Sequence, residues 1–464
     1  MCYQDLNNII RRRAYNDAGA AIFHLPTSGT TCKSVAFSLS EKPAPPRKLY
    51  QEKPMNSPFL FVDEVDVSGK TVLLRLDLNV PVRDNVVTDA TRIERVLPGL
   101  RALLEAGAAV VILTHFGRPK GKVVPEYSVA PVAAALAQRL GRDVPVAADL
   151  TGEAGRQAAK ALGPGDVLMM ENLRFHPGEE ANDADFAASL AALGDIYVGD
   201  AFSCAHRAHA SVEALPRQMD IVCAGRSMGA ELAALDAALS QPKRPVVAVV
   251  GGAKVSTKLQ ILENLVTRVD GIILGGGMAN TFLMAEGHAI GTSLVEADML
   301  GMAADIVAAA KTNDCRLILP VDAMVAREFK ANAPHRIVPV NKVAEDEMIL
   351  DVGPKSIAMV NDFIKGCETI VWNGPMGAFE IPPFDSGTNA VAAAVAAQTK
   401  AGKLLSVAGG GDTMAALANA GVSDQFSYVS TAGGAFLEWL EGKILPGVEA
   451  LRRNGWRQDS IIKN

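Results

Sequence analysis

Ten times between residues 60 and 436 the chain repeats one pattern: an apolar run, a short polar or glycine-rich turn, then an alanine- and leucine-rich stretch of helical period. The runs are VLLRLDLNVP, AVVILTHFGRP, DVLMMENLRFH and DIYVGDAFSCAHR, then VVAVVGGAKVSTK, GIILGGGMANTF, RLILPVDAMVA, TIVWNGPMGAFE, KLLSVAGGGDT and FSYVSTAGGAF. Strands that alternate with helices pair in parallel, because each helix carries the chain back, by a right-handed crossover, to start the next strand in the same direction. In such sheets ligands bind beyond the carboxyl ends of the strands. The residues at those ends therefore report what is bound.

The first run, TVLLRLDLNVP over residues 71–81, reads as one strand with alternating faces. Val72, Leu74, Leu76, Leu78 and Val80 share one face, and Thr71, Leu73, Arg75, Asp77 and Asn79 the other. Period two is usual in half-exposed antiparallel sheets. In a parallel sheet the polar end of this run reads instead as a strand opening into a ligand cleft.

At 464 residues and 49% hydrophobic content, the chain exceeds the roughly 250 to 300 residues at which one core stops growing. Two domains are expected. A net charge of −6 argues against a nucleic-acid partner, which calls for a basic surplus on one face. The six cysteines (residues 2, 32, 204, 223, 315 and 367) form no CxxC pair, so neither a disulfide framework nor a zinc ribbon is indicated. That fits a reducing, cytoplasmic setting. No uncharged apolar run is long enough for a membrane span.

Residues 1–54 differ from the rest: rich in Arg, Ser, Thr and Pro, poor in acids and without sustained periodicity. They are expected to lie outside the fold. They read either as an organelle-targeting segment or, preferably, as sequence upstream of a start at Met55.

The strand ends fall into two classes. Up to residue 211 they carry cations and hydrogen-bonding groups: Arg75, Asp77, Asn79, His115, Arg118, Arg174, His176, His206, Arg207 and His209. After residue 245 they carry glycines, at 251–252, 275–277, 374, 377, 409–411 and 433–434. Converging guanidinium forks suit a small, multiply charged anion such as a phosphorylated acid. Glycine turns opening onto helices suit close backbone approach to a nucleotide's phosphates. Lys254 and Lys258, four apart, are expected to stack on one helix face toward those phosphates, and Asp412 to ligate magnesium.

Plainer readings exist for each feature. A single strand-end Arg is usually a solvated charge, and a glycine turn is common in any α/β protein. It is the recurrence that counts. Cys204 with His206 and His209, taken as helical, lacks a further ligand and reads as packing rather than a metal site. No GxxxxGK[ST] and no GxGxxG is present, so neither a P-loop nor a dinucleotide fingerprint holds the phosphates.

From about residue 58 to about 450 the chain resembles phosphoglycerate kinase, through RLDLNVP, HFGRP, ENLRFH, DAFSCAHRAH, GGAKVSTK, GGGMANTF, VWNGPMGAFE, GGGDT and VSTAGGA in order. The resemblance implies an α/β fold of two doubly wound, Rossmann-like parallel-sheet domains facing across a cleft and joined by a helix. It implies an acid-binding domain at 56–225, a joining helix at 226–239, a nucleotide-binding domain at 240–436, and a segment at 437–464 returning to the first domain. The implied reaction moves a phosphoryl group between 1,3-bisphosphoglycerate and ADP, giving 3-phosphoglycerate and MgATP, in a cytoplasmic monomer, or an organelle-targeted one if residues 1–54 are a transit segment.

Carried over residue by residue, the acid contacts are Asp77, Asn79, Arg92, His115, Arg118, Arg174 and Arg207. The nucleotide contacts are Gly252, Ala253, Lys254, Lys258, Gly276, Gly277, Asn373, Pro375, Glu380, Gly409, Gly410, Gly411, Asp412 and Thr413, with Asp412 on the magnesium ion. Arg92, Lys254, Lys258, Gly410 and Gly411 would act on the transferring group. Ser203, Cys204 and Ala432 depart from the common pattern, yet none removes a charge. Because the accepting carboxylate is already ionised, positioning and charge neutralisation suffice without a general base. A non-catalytic relative that signals by closing, or a nicotinamide-dependent dehydrogenase, would need a lost cleft charge or a dinucleotide fingerprint. Neither feature is present.

Overall fold

The computed structural model describes residues 57–452; the readings of residues 1–54 and of the chain beyond 452 fall outside them. Two six-stranded sheets, each wholly parallel, dominate. The first runs in the order Val146–Ala147, Val167–Met170, Ala109–Leu113, Thr71–Leu76, Ile196–Asp200, Ile221–Ala224. The second runs Arg316–Ile318, Gly271–Leu274, Val246–Val250, Thr369–Asn373, Leu405–Gly409, Tyr428–Ser430. All ten expected strands are present. Val146–Ala147 and Ile221–Ala224, at the outer edges of the first sheet, were not expected.

The strand from residue 71 ends at Leu76, five residues sooner than its alternation suggests. Neither of its faces meets water. Val72, Leu74 and Leu76 pack into one apolar cluster and Leu73 into another on the opposite side. Covering helices explain this, for example Thr91–Glu105, which buries Ile93, Val96, Leu100, Leu103 and Leu104 at helical spacing. The run RLILPVDAMVA is likewise two strands. Pro320 has no N–H for a ladder, and after it Asp322–Ala326 leaves the parallel sheet to pair antiparallel with His335–Pro339 and Met348–Val352.

Between the sheets the chain is helical over Arg226–Leu235 and closes in a wider π turn over Asp236–Ser240. Its Met228, Ala234, Leu235, Ala238 and Leu239 are buried in a cluster that holds Leu73 of the first sheet and Ala248 of the second. The last described residues pack on the first sheet's side of the molecule: the Gly447 N–H donates to the Ala205 carbonyl at 2.9 Å, and Arg452 bridges to Phe59.

In the second sheet the chain reverses its direction of build between Val246–Val250 and Thr369–Asn373, where ligands of open α/β sheets bind. In the first sheet the corresponding reversal lies between Thr71–Leu76 and Ile196–Asp200.

Candidate active site

Four strand ends of the first sheet converge on one cavity. Asp77 and Asn79 follow the Thr71–Leu76 strand, His115 follows Ala109–Leu113, Arg174 sits in the short 3-10 turn Leu173–Phe175, and Cys204 ends another over Phe202–Cys204. All seven expected acid contacts line this cavity, and Thr431, Ala432, Gly433 and Gly434 close it from the second sheet. The Arg92 guanidinium pairs with Asp77 at 2.5 Å, and the Ser203 hydroxyl donates to the same carboxylate. Burial works to raise the Asp77 pKa, but the neighbouring His115 ring, the Arg92 charge and the Ser203 hydrogen bond bring it below the ordinary carboxylate value. Arg174 donates to the Gly117 carbonyl at 2.7 Å, and the Gly117 N–H donates to Asn79 Oδ1 at 3.0 Å, so the HFGRP turn is held between two site residues. Arg118 and Arg207 are exposed.

Asp77, His115 and Cys204 have ligand atoms within 4.8 Å of one another, the spacing of a metal site. Arg92 on Asp77, and Arg75 3.2 Å from His115 Nδ1, make the surroundings repel a cation. The arrangement favours an anion.

The second cavity lies at the reversal point of the second sheet. Gly252, Ala253, Lys254, Lys258, Asn373, Gly410, Gly411, Asp412 and Thr413 line it. Lys258 Nζ donates to Asn373 Oδ1, while burial lowers the Lys258 pKa against the opposing pull of Asp412. Asn373 Nδ2 donates to the Gly409 carbonyl at 2.7 Å, and the Gly374 N–H donates to Thr413 Oγ1 at 2.7 Å. A side chain at Gly251 would put its Cβ 1.9 Å from the Pro375 carbonyl oxygen, and Gly410, at φ 101°, takes a backbone shape that other residues rarely adopt. An adjoining, mainly apolar cavity shares Gly252, Ala253 and Asp412 and adds Gly276, Gly277, Leu294, Phe329, Pro375 and Glu380. A charged, amide-rich end beside an apolar slot is what a nucleoside polyphosphate needs.

The phosphoglycerate kinase family profile matches residues 62–443. The chain is 60% identical over 395 residues to the phosphoglycerate kinase of Azorhizobium caulinodans, covering 85% of this chain and 99% of that protein. It is 60% identical over 400 residues to that of Methylobacterium radiotolerans, covering 86% and 100%. The chain belongs to the phosphoglycerate kinase family. Among solved structures, phosphoglycerate kinase from Coxiella burnetii superposes with a TM-score of 0.80 at 45% identity over 85% of this chain and 99% of that one. The enzyme from Pyrococcus horikoshii OT3 gives 0.67 at 30% identity over 84% and 98%. As a phosphoglycerate kinase, the protein transfers a phosphoryl group to and from a carboxyl group.

Four expectations about these cavities and their surroundings are corrected by the geometry. Lys254 and Lys258 do not stack on a helix, since the helix runs Leu259–Leu265 and begins only after Lys258. The preceding segment forms a tight turn instead: the Lys258 N–H donates to the Val255 carbonyl at 2.8 Å, Val255 is buried, and Ser256 donates through its N–H (2.9 Å) and hydroxyl (2.5 Å) to Glu296. Gly409 lines neither cavity, because a side chain there would meet the Phe436 ring at 2.5 Å; its carbonyl serves Asn373 from behind. Arg75, grouped with the anion-binding ends, is tied into the interior. His206 and His209 also lie outside any helix, on a turn and extended backbone between Phe202–Cys204 and the π turn Ala210–Ala214.

Other participants were not legible in advance. Leu294 and Phe329 reach the apolar slot from segments with no local signature. Arg95, one helical turn after Arg92, donates to Thr431 Oγ1 across the two sheets' lobes. Ala432 sits at φ −96°, so its departure from glycine strains nothing.

Proposed function

We propose that the basic cavity binds 3-phosphoglycerate or 1,3-bisphosphoglycerate through Asp77, Asn79, Arg92, His115, Arg118, Arg174 and Arg207, and that the glycine-lined cavity binds ADP or ATP. The supporting observation is where the two cavities meet. Gly433 lines the first, Gly410 lines the second, and a Cβ on Gly433 would stand 3.9 Å from the Gly410 Cα. The N-terminus of the helix Gly433–Leu440 lies at that junction, with backbone amides suited to a transferring phosphoryl group.

In this reading Arg92, Lys254 and Lys258, with the amides of Gly410 and Gly411, neutralise the three equatorial oxygens of the group in flight. The acid's carboxylate needs no base. Gly276, Gly277 and Pro375 flank the base of the nucleotide, Glu380 meets the ribose, and Asn373 and Thr413 brace the phosphate turn. Asp412 is exposed, in the first turn of the helix Gly411–Asn419, and lines both nucleotide cavities. A single carboxylate beside phosphates fits a magnesium ion, which completes its shell with phosphate oxygens and water. The ion would offset phosphate charge when bound.

The proposed division is an acid-binding domain over 56–225, a joining helix over 226–239, a nucleotide domain over 240–436 and a returning segment over 437–464. Closure of the domains would bring the reacting atoms to about 3 to 3.5 Å and expel water. The proposed state is a cytoplasmic monomer. The four described cysteines are free and buried, and among the described residues no helix is long and apolar enough to cross a membrane.

Calorimetric titration of the full chain tests the assignment. Arg174→Ala should weaken 3-phosphoglycerate binding and spare MgATP, and Lys258→Ala should do the reverse. A crossed pattern would reject the assignment of the two cavities.

A further inference from the structure

Arg75 borders the acid cavity, yet its guanidinium is engaged behind the wall. It is 2% exposed; Nε donates to Ser211 Oγ at 2.8 Å, Nη1 donates to the Leu76 carbonyl, and Nη2 lies 3.2 Å from His115 Nδ1. Fully buried Glu179 stands 4.0 Å from Nη2 and is itself held by the Ser211 N–H at 2.9 Å and hydroxyl at 2.6 Å. The Tyr197 hydroxyl donates to the Ser211 carbonyl at 2.9 Å, completing the support.

A guanidinium has only donors and does not surrender its proton. Facing it at 3.2 Å, His115 Nδ1 has to be the acceptor, which leaves the ring's one proton on Nε2. We propose that Arg75 is a positioning residue for the kinase reaction: it fixes His115 as the neutral Nε2–H tautomer, an uncharged hydrogen-bond donor to the acid substrate. The donor role rests on the acid assignment of the cavity, whereas the tautomer does not.

The groups around the ring support this. His115 is faced by Arg75, Asp77, Arg174, His209 and, 3.9 Å from Nδ1, the Cys204 sulfur. Burial first, then the Arg75 charge, holds the imidazole well below its ordinary pKa; Asp77 pulls the other way, and Arg174 and His209 add to the depression. His209 is itself lowered to about 4, chiefly by burial and then by Arg174. Neither ring then contributes a titrating charge near neutrality, and acid affinity is left to the guanidinium groups. A cation appearing there as pH falls would instead make affinity pH-dependent.

The test uses the full chain labelled with nitrogen-15 and long-range proton–nitrogen spectra, which read each ring nitrogen directly. Between about pH 6 and 8, where free imidazole titrates, His115 should show a bare Nδ1 and a protonated Nε2. A protonated Nδ1, or a doubly protonated ring at pH 7, would overturn the proposal. Addition of 3-phosphoglycerate should move the Nε2 signal. If it does not, the donor role falls with the reading of the cavity, while the tautomer is judged by its own signals.

A second arm replaces the buried pair together, Arg75→Met with Glu179→Gln, so that no lone charge is stranded. In that variant His115 should lose its fixed tautomer, its two ring nitrogens showing a mixture of protonated and bare signals, and KM for 3-phosphoglycerate should rise several-fold with kcat changing less. An unchanged pattern of a bare Nδ1 and a protonated Nε2 would remove Arg75 from the role.

Discussion

Glu231 accepts a hydrogen bond from Ser430 Oγ at 3.1 Å, fastening the helix between the two sheets to the last strand of the second sheet. Burial pushes the carboxyl pKa up to about 7, against the opposing pull of Tyr428, Ser430 and Arg95.

That shift has a definite sign. A carboxyl whose pKa is higher folded than unfolded binds more protons in the native state, so its contribution to stability declines as pH rises from about 4.5 toward 7. Glu231→Gln should therefore stabilise the protein at pH 8 by about 1 to 3 kcal/mol, with little or no gain at pH 5. Thermal midpoints of parent and variant at the two pH values decide it; an equal difference at both would mean Glu231 does not titrate there.

Arg92, paired with Asp77 in the basic cavity, should matter most once charge builds on the transferring group. Arg92→Ala is expected to lower kcat by about 10² to 10³ while changing KM for ATP far less. Steady-state kinetics in both directions would test this, and retention of more than half the parent kcat would refute the role.

For Asp412→Ala the expected loss is in magnesium-dependent nucleotide affinity alone. Titrating MgATP, ATP without magnesium, and 3-phosphoglycerate separately would show it. Equal weakening of all three would point to general damage.

Gly251→Ala tests the close approach of two strand ends. The added carbon would fall 1.9 Å from the backbone oxygen of Pro375, which cannot swing aside like a side chain. A loss of about 1 to 3 kcal/mol in stability is expected from such overpacking, with MgATP affinity reduced and 3-phosphoglycerate affinity kept. An unchanged melting temperature would show that the turn adapts freely.

Much of this protein was legible from sequence because the signals are local. A strand followed by a helix is written in periodicity, which is why all ten expected strands appear in two parallel sheets. The split between basic and glycine-rich strand ends was legible too, since a parallel sheet puts every carboxyl end on one side and leaves only residue type to vary. Asp77, His115 and Arg174 could thus be placed at one cavity from their positions in their own runs.

What those side chains face was decided only by tertiary structure, because a partner across a cavity leaves no trace in the spacing of a run. Arg75 and Asp77 sit two residues apart and share a face by alternation, yet Arg75 is enclosed with Glu179 and Ser211, over 100 positions away in sequence, while Asp77 opens to the cavity. Lys254 and Lys258 had helical spacing, but Ser256 bound to Glu296 anchors a separate turn over Val255–Lys258, and the helix begins only after it. Pro320 sent one apolar run into two sheets, and Leu294 and Phe329 reached the nucleotide slot from segments whose sequence carries no sign of it. Periodicity determines which residues enter a core or a strand end; long-range packing and pairing determine which of them meet.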